Sequence, residues 1–299
     1  MQSISMTRRQ ALVSASAAFL VRSFFGNGAH AEVFSDQLSR DLTAIETASG
    51  GRLGVGVLDV ASGERVVHRG DERFPMCSTF KVLAVSAVLA KVDAGKEQLD
   101  RVLHFEKSDL VTYSPITKDR VGAAGMTVGE ICAAAIRYSD NSAANLILSS
   151  LGGPDAVTRF ARSIGDEVTR LDRIETDLNE ALPGDPRDTT SPAAMLADLK
   201  VLLLGSKLKV ASRDQLTQWM VGNTTGDERL RAGVSTGWKV GDKTGSGERG
   251  TTNDVGILWP PGGSPVLVTV YLTGSTGAGD QRSATIAAVG RAIASSMTR

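Results

Sequence analysis

The sequence predicts an α/β (α+β) protein of two lobes, and three observations carry that prediction. Strand-like alternation is confined to the ends of the chain, at 53–68 and 243–272. From about 74 to 222 the pattern is instead a series of apolar runs at helical spacing. Helical patterns also open and close the chain. The two ends should therefore build one antiparallel five-stranded sheet, flanked by N- and C-terminal helices, with an all-helical lobe inserted between them. Clefts between such lobes are where active sites lie. The expected boundaries are a leader at 1–31, an α/β lobe from 32–73 with 222–299, and a helical lobe at 74–221 that includes a loop at about 170–188.

The elements follow in order. Arg8-Arg9, the apolar stretch Ala11 to Val21 and Ala29-His30-Ala31 have the order of a cleavable export signal, and the apolar core is too short for a permanent membrane span. The paired arginines fit the twin-arginine route, although Ala11-Leu12 is a weak form of its motif, so the choice between the two export routes stays open. Next, Phe34, Leu38, Leu42 and Ile45 recur at helical spacing. Leu53 to Leu58 and Glu64 to His68 read as a hairpin around a three-residue loop, Ala61-Ser62-Gly63. Helical runs then cover Val82 to Val92, Val128 to Ile136, Ala143 to Leu148, Ala156 to Ser163, Ala193 to Leu204 and Arg213 to Met220. A strand starting at Lys243 and two more at Thr252 to Trp259 and Val266 to Leu272 precede a closing helix with Ile286, Val289 and Ile293.

Composition narrows the function. The chain has 299 residues, 41% apolar and 22% charged, as in a soluble globular protein. Its 33 basic and 33 acidic residues balance, so no global field draws nucleic acid or an anionic membrane. Loss of the leader removes Arg8, Arg9 and Arg22 and no acid, leaving a net charge of −3 from a formal zero. The expected location is periplasmic or secreted, as a monomer without a membrane anchor. Cys77 and Cys132 lack Cys-x-x-Cys spacing, and two buried free thiols are expected. The mature chain keeps only His68 and His104, without the paired spacing of a zinc site and away from any serine motif. No metal or cofactor is expected. Gly245-Ser246-Gly247-Glu248-Arg249-Gly250 satisfies G-x-G-x-x-G formally, but it runs into strand-like residues instead of opening a helix.

Chemistry is concentrated in four short strings. Ser78 and Lys81, in Cys77-Ser78-Thr79-Phe80-Lys81, stand three apart at the head of an apolar helical run, so hydroxyl and amine share a face. A desolvated lysine can take the proton that keeps a serine from being a nucleophile. Alone this pair is common on helix surfaces. Ser139-Asp140-Asn141 adds a second hydroxyl and an amide. Glu175-Thr176-Asp177-Leu178-Asn179 lies in a Pro-, Gly- and Asp-rich loop bounded by Arg173 and Asp188. Lys243-Thr244-Gly245 begins a strand whose next residues, Ser246 and Gly247, are small enough for a substrate backbone to approach.

Together, and in this order, the strings resemble those of the class A serine β-lactamases over about 34–299. The resemblance implies a β-lactam hydrolase: Ser78 attacks the lactam carbonyl, with the backbone N–H groups of Ser78 and Ser246 as the oxyanion hole. Lys81, or Glu175 through a water, is the acylation base, and Ser139 passes a proton to the lactam nitrogen. Glu175 and Asn179 then direct hydrolysis of the ester. Lys243, Thr244, Gly245, Ser246, Asn141 and Tyr113 are the implied substrate contacts. Where many members carry an arginine this chain has Thr252, and Arg229 matches the place from which other members send a substitute. Arg173 and Asp188 are the implied ion pair closing the Glu175 loop, and the Glu175–Thr176 peptide is expected to be cis. Penicillin-binding D,D-peptidases share much of this pattern but typically lack the deacylating glutamate; a β-lactam sensor would acylate once and stay occupied. Ser246 with Arg229 leans the expected range toward cephalosporins, whereas carbapenem turnover stays open because the cysteine that often pairs with the Cys77 position is Gly247 here.

Overall fold

A computed structural model describes residues 35–122 and 124–297. The expected leader and Phe34 lie outside the described residues. Helix α1 (35–49) buries Leu38 and Leu42 and leads into β1 (Arg52–Asp59). Strand β2 (Arg65–His68) returns antiparallel, with Leu58 opposite Arg65. The hairpin loop spans 60–64, longer than expected. Asp59 is the reason: its carbonyl accepts from Gly63 N at 2.9 Å and its carboxylate from Ala61 N at 2.9 Å and Ser62 Oγ at 2.7 Å. These bonds close the turn outside Ala61-Ser62-Gly63.

Strand β3 (Phe74–Pro75) enters a tight 3-10 turn, Cys77–Thr79, from which α2 (Phe80–Asp93) continues. Helix α2 is apolar on every side, and every residue from Phe80 to Leu89 is buried, as expected of a helix that forms the centre of a lobe. The short strands β4 (Val102–Leu103) and β5 (Met126–Thr127) pair ahead of α3 (Val128–Arg137), which starts from a capping box of Thr127 and Glu130. Helix α4 (Asn141–Leu151) is capped by Asp140 and stopped by Gly152 at φ 95°. Helix α5 (Asp155–Ser163) is followed by the long loop and β6 (Thr189–Thr190), which pairs with β3. Then come α6 (Pro192–Leu203), α7 (Val210–Val221) and α8 (Leu230–Gly233). The chain ends with β7 (Lys239–Gly247), β8 (Thr251–Trp259), β9 (Val266–Thr273) and α9 (Gly279–Met297).

The five-stranded sheet has the order β2-β1-β9-β8-β7 and is antiparallel throughout. Pairing of β1 with β9, from Arg52 opposite Thr273 to Asp59 opposite Val266, joins the two ends of the chain. Alternation along β1 divides the core. Leu53, Val55 and Val57 pack with Leu38, Leu42, Ile286 and Val289 of α1 and α9. Gly54, Gly56 and Leu58 face the helical side. A Cβ on Gly54 would stand 2.5 Å from the Phe74 ring, and one on Gly56 would stand 3.0 Å from Pro192 O, so glycine lets α6 and β3 lie directly on the sheet. The edge strand β7 runs past the Cys77–Thr79 turn, which brings the strand residues beside the end of α2.

Candidate active site

The turn that carries Ser78 is built where three segments meet. Met76 N donates to Asp188 O at 2.9 Å, and Asn253 Nδ2 of β8 donates to Pro75 O at 2.9 Å and Met76 O at 3.1 Å. A Cβ on Gly245 would lie 2.8 Å from Met76 O, so glycine is what allows β7 to press against the turn. Cys77 takes φ 45°, in the left-handed region, immediately before Ser78. Both cysteines are buried and free. Ser78 lies in this 3-10 turn, just ahead of the α-helix proper, yet the three-residue spacing still directs its hydroxyl to Lys81.

Around Ser78 the polar atoms converge tightly. Ser78 Oγ donates to Glu175 Oε1 at 3.0 Å and accepts from Lys81 Nζ at 2.8 Å. Lys81 Nζ also lies 2.9 Å from Glu175 Oε1 and donates to Ser139 O at 2.9 Å and Asn141 Oδ1 at 2.7 Å. The lysine is fully buried. Burial pushes its pKa below the usual range, and the charges of Glu175 and Asp140 pull it back only in part. A lysine in that state gives up its proton more readily than one in water. Ser139, at φ 56°, presents its hydroxyl to the other lysine: Lys243 Nζ donates to Ser139 Oγ at 2.9 Å and to Thr244 O at 2.8 Å. Lys243 is also fully buried, and its pKa is lowered well below the usual range. Burial is the main cause and the nearby charges of Lys81 and Arg229 add to it, opposed by Asp242 and Asp254.

Glu175 is held from both of its ends. Its backbone N donates to Asn145 Oδ1 at 2.9 Å and its carbonyl accepts from Asn145 Nδ2 at 2.8 Å, while Asn179 Nδ2 donates to Oε2 at 2.6 Å. The Glu175–Thr176 peptide is cis, as expected. The loop is closed at its neck by Asp188, whose carboxylate accepts from Asp172 N at 2.8 Å, Arg173 N at 2.9 Å and Arg173 Nε at 2.6 Å. Arg173 reaches across to Glu180 at 2.7 Å as well. Asp140 does comparable work opposite: it caps α4 through Ala143 N at 2.8 Å and accepts from the N–H groups of Ile116 and Thr117, both at 2.9 Å. Tyr113 is exposed and left-handed at φ 64°, and its carbonyl accepts from Asn141 N at 3.0 Å. Asn141 Nδ2 donates to Thr112 O at 2.9 Å, so this amide ties the 112–113 segment to Lys81.

The β7 side is a second polar cluster. Arg229 Nη1 donates to Gly245 O at 2.9 Å and Asn253 O at 2.7 Å, and its Nη2 donates to Ser246 Oγ at 2.7 Å. It is thus fastened to the strand and is not a freely solvated surface arginine. Thr244 Oγ1 meets Thr225 Oγ1 at 2.5 Å, and Thr225 is fixed by Asn223 Oδ1 at 2.8 Å. Beneath them Asp242 accepts from Asn223 Nδ2 at 2.7 Å and Arg231 Nη2 at 2.5 Å. Smallness at Gly247 answers to protein neighbours: a Cβ there would meet Cys77 Sγ at 2.6 Å and Asn179 O at 2.8 Å. Sequence reasoning passed over Asn145, Asn223, Thr225 and Asn253. Only Asn145 had a local signal, standing four residues from Asn141 on the same helix face.

A sequence profile described as the beta-lactamase enzyme family matches residues 37–297. The chain is 47% identical over 259 residues to beta-lactamase CTX-M-8 of Citrobacter amalonaticus, covering 87% of this chain and 89% of the relative. It is 48% identical over 264 residues to beta-lactamase Toho-1 of Escherichia coli, covering 88% and 90%. Among solved structures, an ancestral (GNCA) class A beta-lactamase superposes with a TM-score of 0.85 at 63% identity, covering 86% of this chain and 99% of that one. Motif order, fold and these likenesses agree, and the chain belongs to the beta-lactamase enzyme family, within its class A.

Proposed function

We propose that this class A β-lactamase opens the lactam amide of penicillins and cephalosporins through an acyl-enzyme on Ser78. The observation that carries the residue roles is the convergence on one hydroxyl of Lys81 Nζ at 2.8 Å and Glu175 Oε1 at 3.0 Å. Ser78 Oγ attacks the carbonyl as its proton passes to this pair. Glu175 is in direct hydrogen-bond contact, and the lowered pKa of Lys81 suits it to receive the proton next. The backbone N–H groups of Ser78 and Ser246 take the oxyanion, supported by the close approach of β7 to the turn at Gly245. As the C–N bond breaks, the proton taken from Ser78 passes from Lys81 through Ser139 Oγ to the lactam nitrogen, which leaves Glu175 an unprotonated carboxylate; Lys243, donating to Ser139 Oγ at 2.9 Å, holds that hydroxyl in place. Water then attacks the ester with Glu175 as base, Asn179 fixing the carboxylate and the water.

On the β7 side, Lys243, Thr244, Gly245, Ser246 and Arg229 receive the substrate carboxylate and the carbonyl to be attacked. Asn141 receives the acyl-amide side chain through its second N–H, with Tyr113 as a wall. Arg173 and Asp188 serve Glu175 structurally. The lobes are assigned to 32–73 with 222–299 and to 74–221. The two-layer division of the core supports this, since α1 and α9 share one cluster and α2 to α7 the other. The proposed form is a monomer released to the periplasm or medium after leader cleavage; among the described residues no helix is long and apolar enough to cross a membrane.

Intact-protein mass after addition of a penicillin tests the proposal. The parent should return to its free mass within the assay, and Glu175→Ala should hold a persistent adduct on Ser78. A persistent adduct on the parent would instead make the protein a peptidase or sensor.

A further inference from the structure

A cavity of about 930 Å³ lies behind the Glu175 loop, between the end of α1, the start of β1, the segment 181–186 and the β7–β8 turn. Its lining carries the arginines Arg52, Arg69, Arg73 and Arg249 against the carboxylates Glu46 and Asp185. Both carboxylates are engaged already. Glu46 is held by Arg69 Nε at 2.6 Å and His68 Nε2 at 2.7 Å, and Asp185 by Arg187 at 2.6 Å. Glu72, which does not line the cavity, pairs with Arg52 at 3.0 Å and Arg69 at 2.9 Å. The surplus positive charge therefore rests on two residues. Arg73 meets no carboxylate among the described residues; its Nη1 donates to Val168 O at 2.8 Å and Thr189 Oγ1 at 3.0 Å, which orients the fork. Arg249 meets only the exposed Glu248, at 3.2 Å.

The cavity is also shaped. The guanidinium carbon of Arg52 stands over the Phe74 ring, 3.9 Å from its centroid. Arg69, Ala181 and Arg249 take φ of 47°, 54° and 52°, a region residues with a Cβ enter only where their surroundings impose it. Pro75, Leu182, Pro183 and Pro186 add apolar surface beside the cations. Oriented guanidinium forks next to an apolar wall are the chemistry that captures an organic molecule with acidic groups.

We propose that this cavity is a second, non-catalytic site that binds a small organic anion carrying two or more phosphate or carboxylate groups, with Arg73 and Arg249 as its principal ligands. The site shares two segments with the cleft. Ala181 lies two residues beyond Asn179, and Glu248 N, adjacent to Arg249, donates to Asn179 O at 2.9 Å. Asn179 in turn holds Glu175 Oε2. Occupancy therefore reaches the catalytic loop from behind, and acts on kcat without displacing substrate.

Calorimetric titration of the full protein with inorganic pyrophosphate and, in parallel, citrate at low ionic strength tests this. Saturable binding of either at one site per chain, weakened about tenfold by Arg73→Gln and by Arg249→Gln, is expected. Both side chains are exposed, so neither change removes core packing. Ser246→Ala, in the cleft and outside the lining, should leave the affinity unchanged. The binding measurement stands whether or not the catalytic proposal does; the kinetic one adds that the probe lowers or raises kcat and does not compete with a β-lactam. Absence of saturable binding, affinity in both arginine variants equal to that of the parent, or purely competitive kinetics would each overturn the proposal.

Discussion

The two walls of the cleft each bury a lysine completely, and they surround its charge differently. On the helical wall Lys81 has a carboxylate at 2.9 Å and three further oxygen partners, so cation and anion balance within one contact. On the β7 wall Lys243, among the described residues, hydrogen-bonds only a hydroxyl and a carbonyl oxygen, and the charges of Asp242 and Asp254 reach it without direct contact. Lys81 and Arg229 push the same way as burial. In the proposed reading the helical wall moves a proton between neighbours, and the β7 wall offers positive charge to an arriving carboxylate. Identical side chains at identical burial take different work from their partners.

Exchanging each lysine for methionine tests that contrast most strongly. Lys81→Met should lower the acylation rate roughly 10²–10⁴-fold, the range for loss of a positioned proton-transfer group, as read by stopped-flow with a chromogenic cephalosporin. Acylation within tenfold of the parent would take Lys81 out of the proton path. Lys243→Met should cost about 10–100-fold in kcat/KM, carried mainly by KM, because a charge-assisted contact to the substrate carboxylate is lost.

A pH titration of stability sharpens the same comparison. Both lysines have pKa values below 10.5 in the folded chain. Between the lowered value and 10.5 the folded state binds fewer protons than the unfolded state, so stability rises with pH across that window. Lys81→Met and Lys243→Met should therefore each flatten the alkaline rise in denaturant midpoint, and a rise left unchanged by either would contradict the lowered pKa of that lysine.

Next in size is the neck of the Glu175 loop. Asp188 is buried and accepts three hydrogen bonds from 172–173. Asp188→Asn keeps the shape but removes the charge facing Arg173 and gives up one acceptor oxygen. Acyl-enzyme lifetime should lengthen about tenfold with acylation nearly unchanged. An unchanged lifetime would mean that Asn145 and Asn179 suffice to hold Glu175.

What could be read from the sequence follows from how far apart the partners lie. Ser78 with Lys81, and Glu175 with Asn179, are separated by three and four residues, so local spacing exposed both pairs. The two-sided sheet was legible because the strands keep period-two alternation through Gly54 and Gly56, and the central helix because α2 is apolar all round. Hidden residues are those whose partners come from elsewhere: Asn145 clamps a peptide 30 residues away and Asn253 a turn 178 residues away. An isolated asparagine carries no periodic signal, and only the fold supplies its acceptor. The smallness of Gly247 suggests room for a substrate, whereas Cys77 and Asn179 occupy the space a side chain there would take. The hairpin loop was misjudged because Asp59 closes it with its own side chain and carbonyl.

The smallest expected effect concerns the β7 wall alone. Arg229 Nη2 donates to Ser246 Oγ at 2.7 Å, so the two residues form one linked donor system, which the proposed reading offers to a substrate carboxylate. Arg229→Ala and Ser246→Ala should each lower cephalosporin kcat/KM several-fold, and the double variant should lose less than the product of the two, with a coupling of about 0.5 kcal/mol or more. Arg229 is also bonded to Gly245 O and Asn253 O, so Arg229→Lys serves as the control that keeps the charge while losing the fork. Multiplicative losses would show that serine and arginine meet the substrate independently. Coupled losses would show that the substituted arginine works by aiming a hydroxyl, which would explain how a chain with Thr252 in place of the more common arginine holds its cation in the cleft.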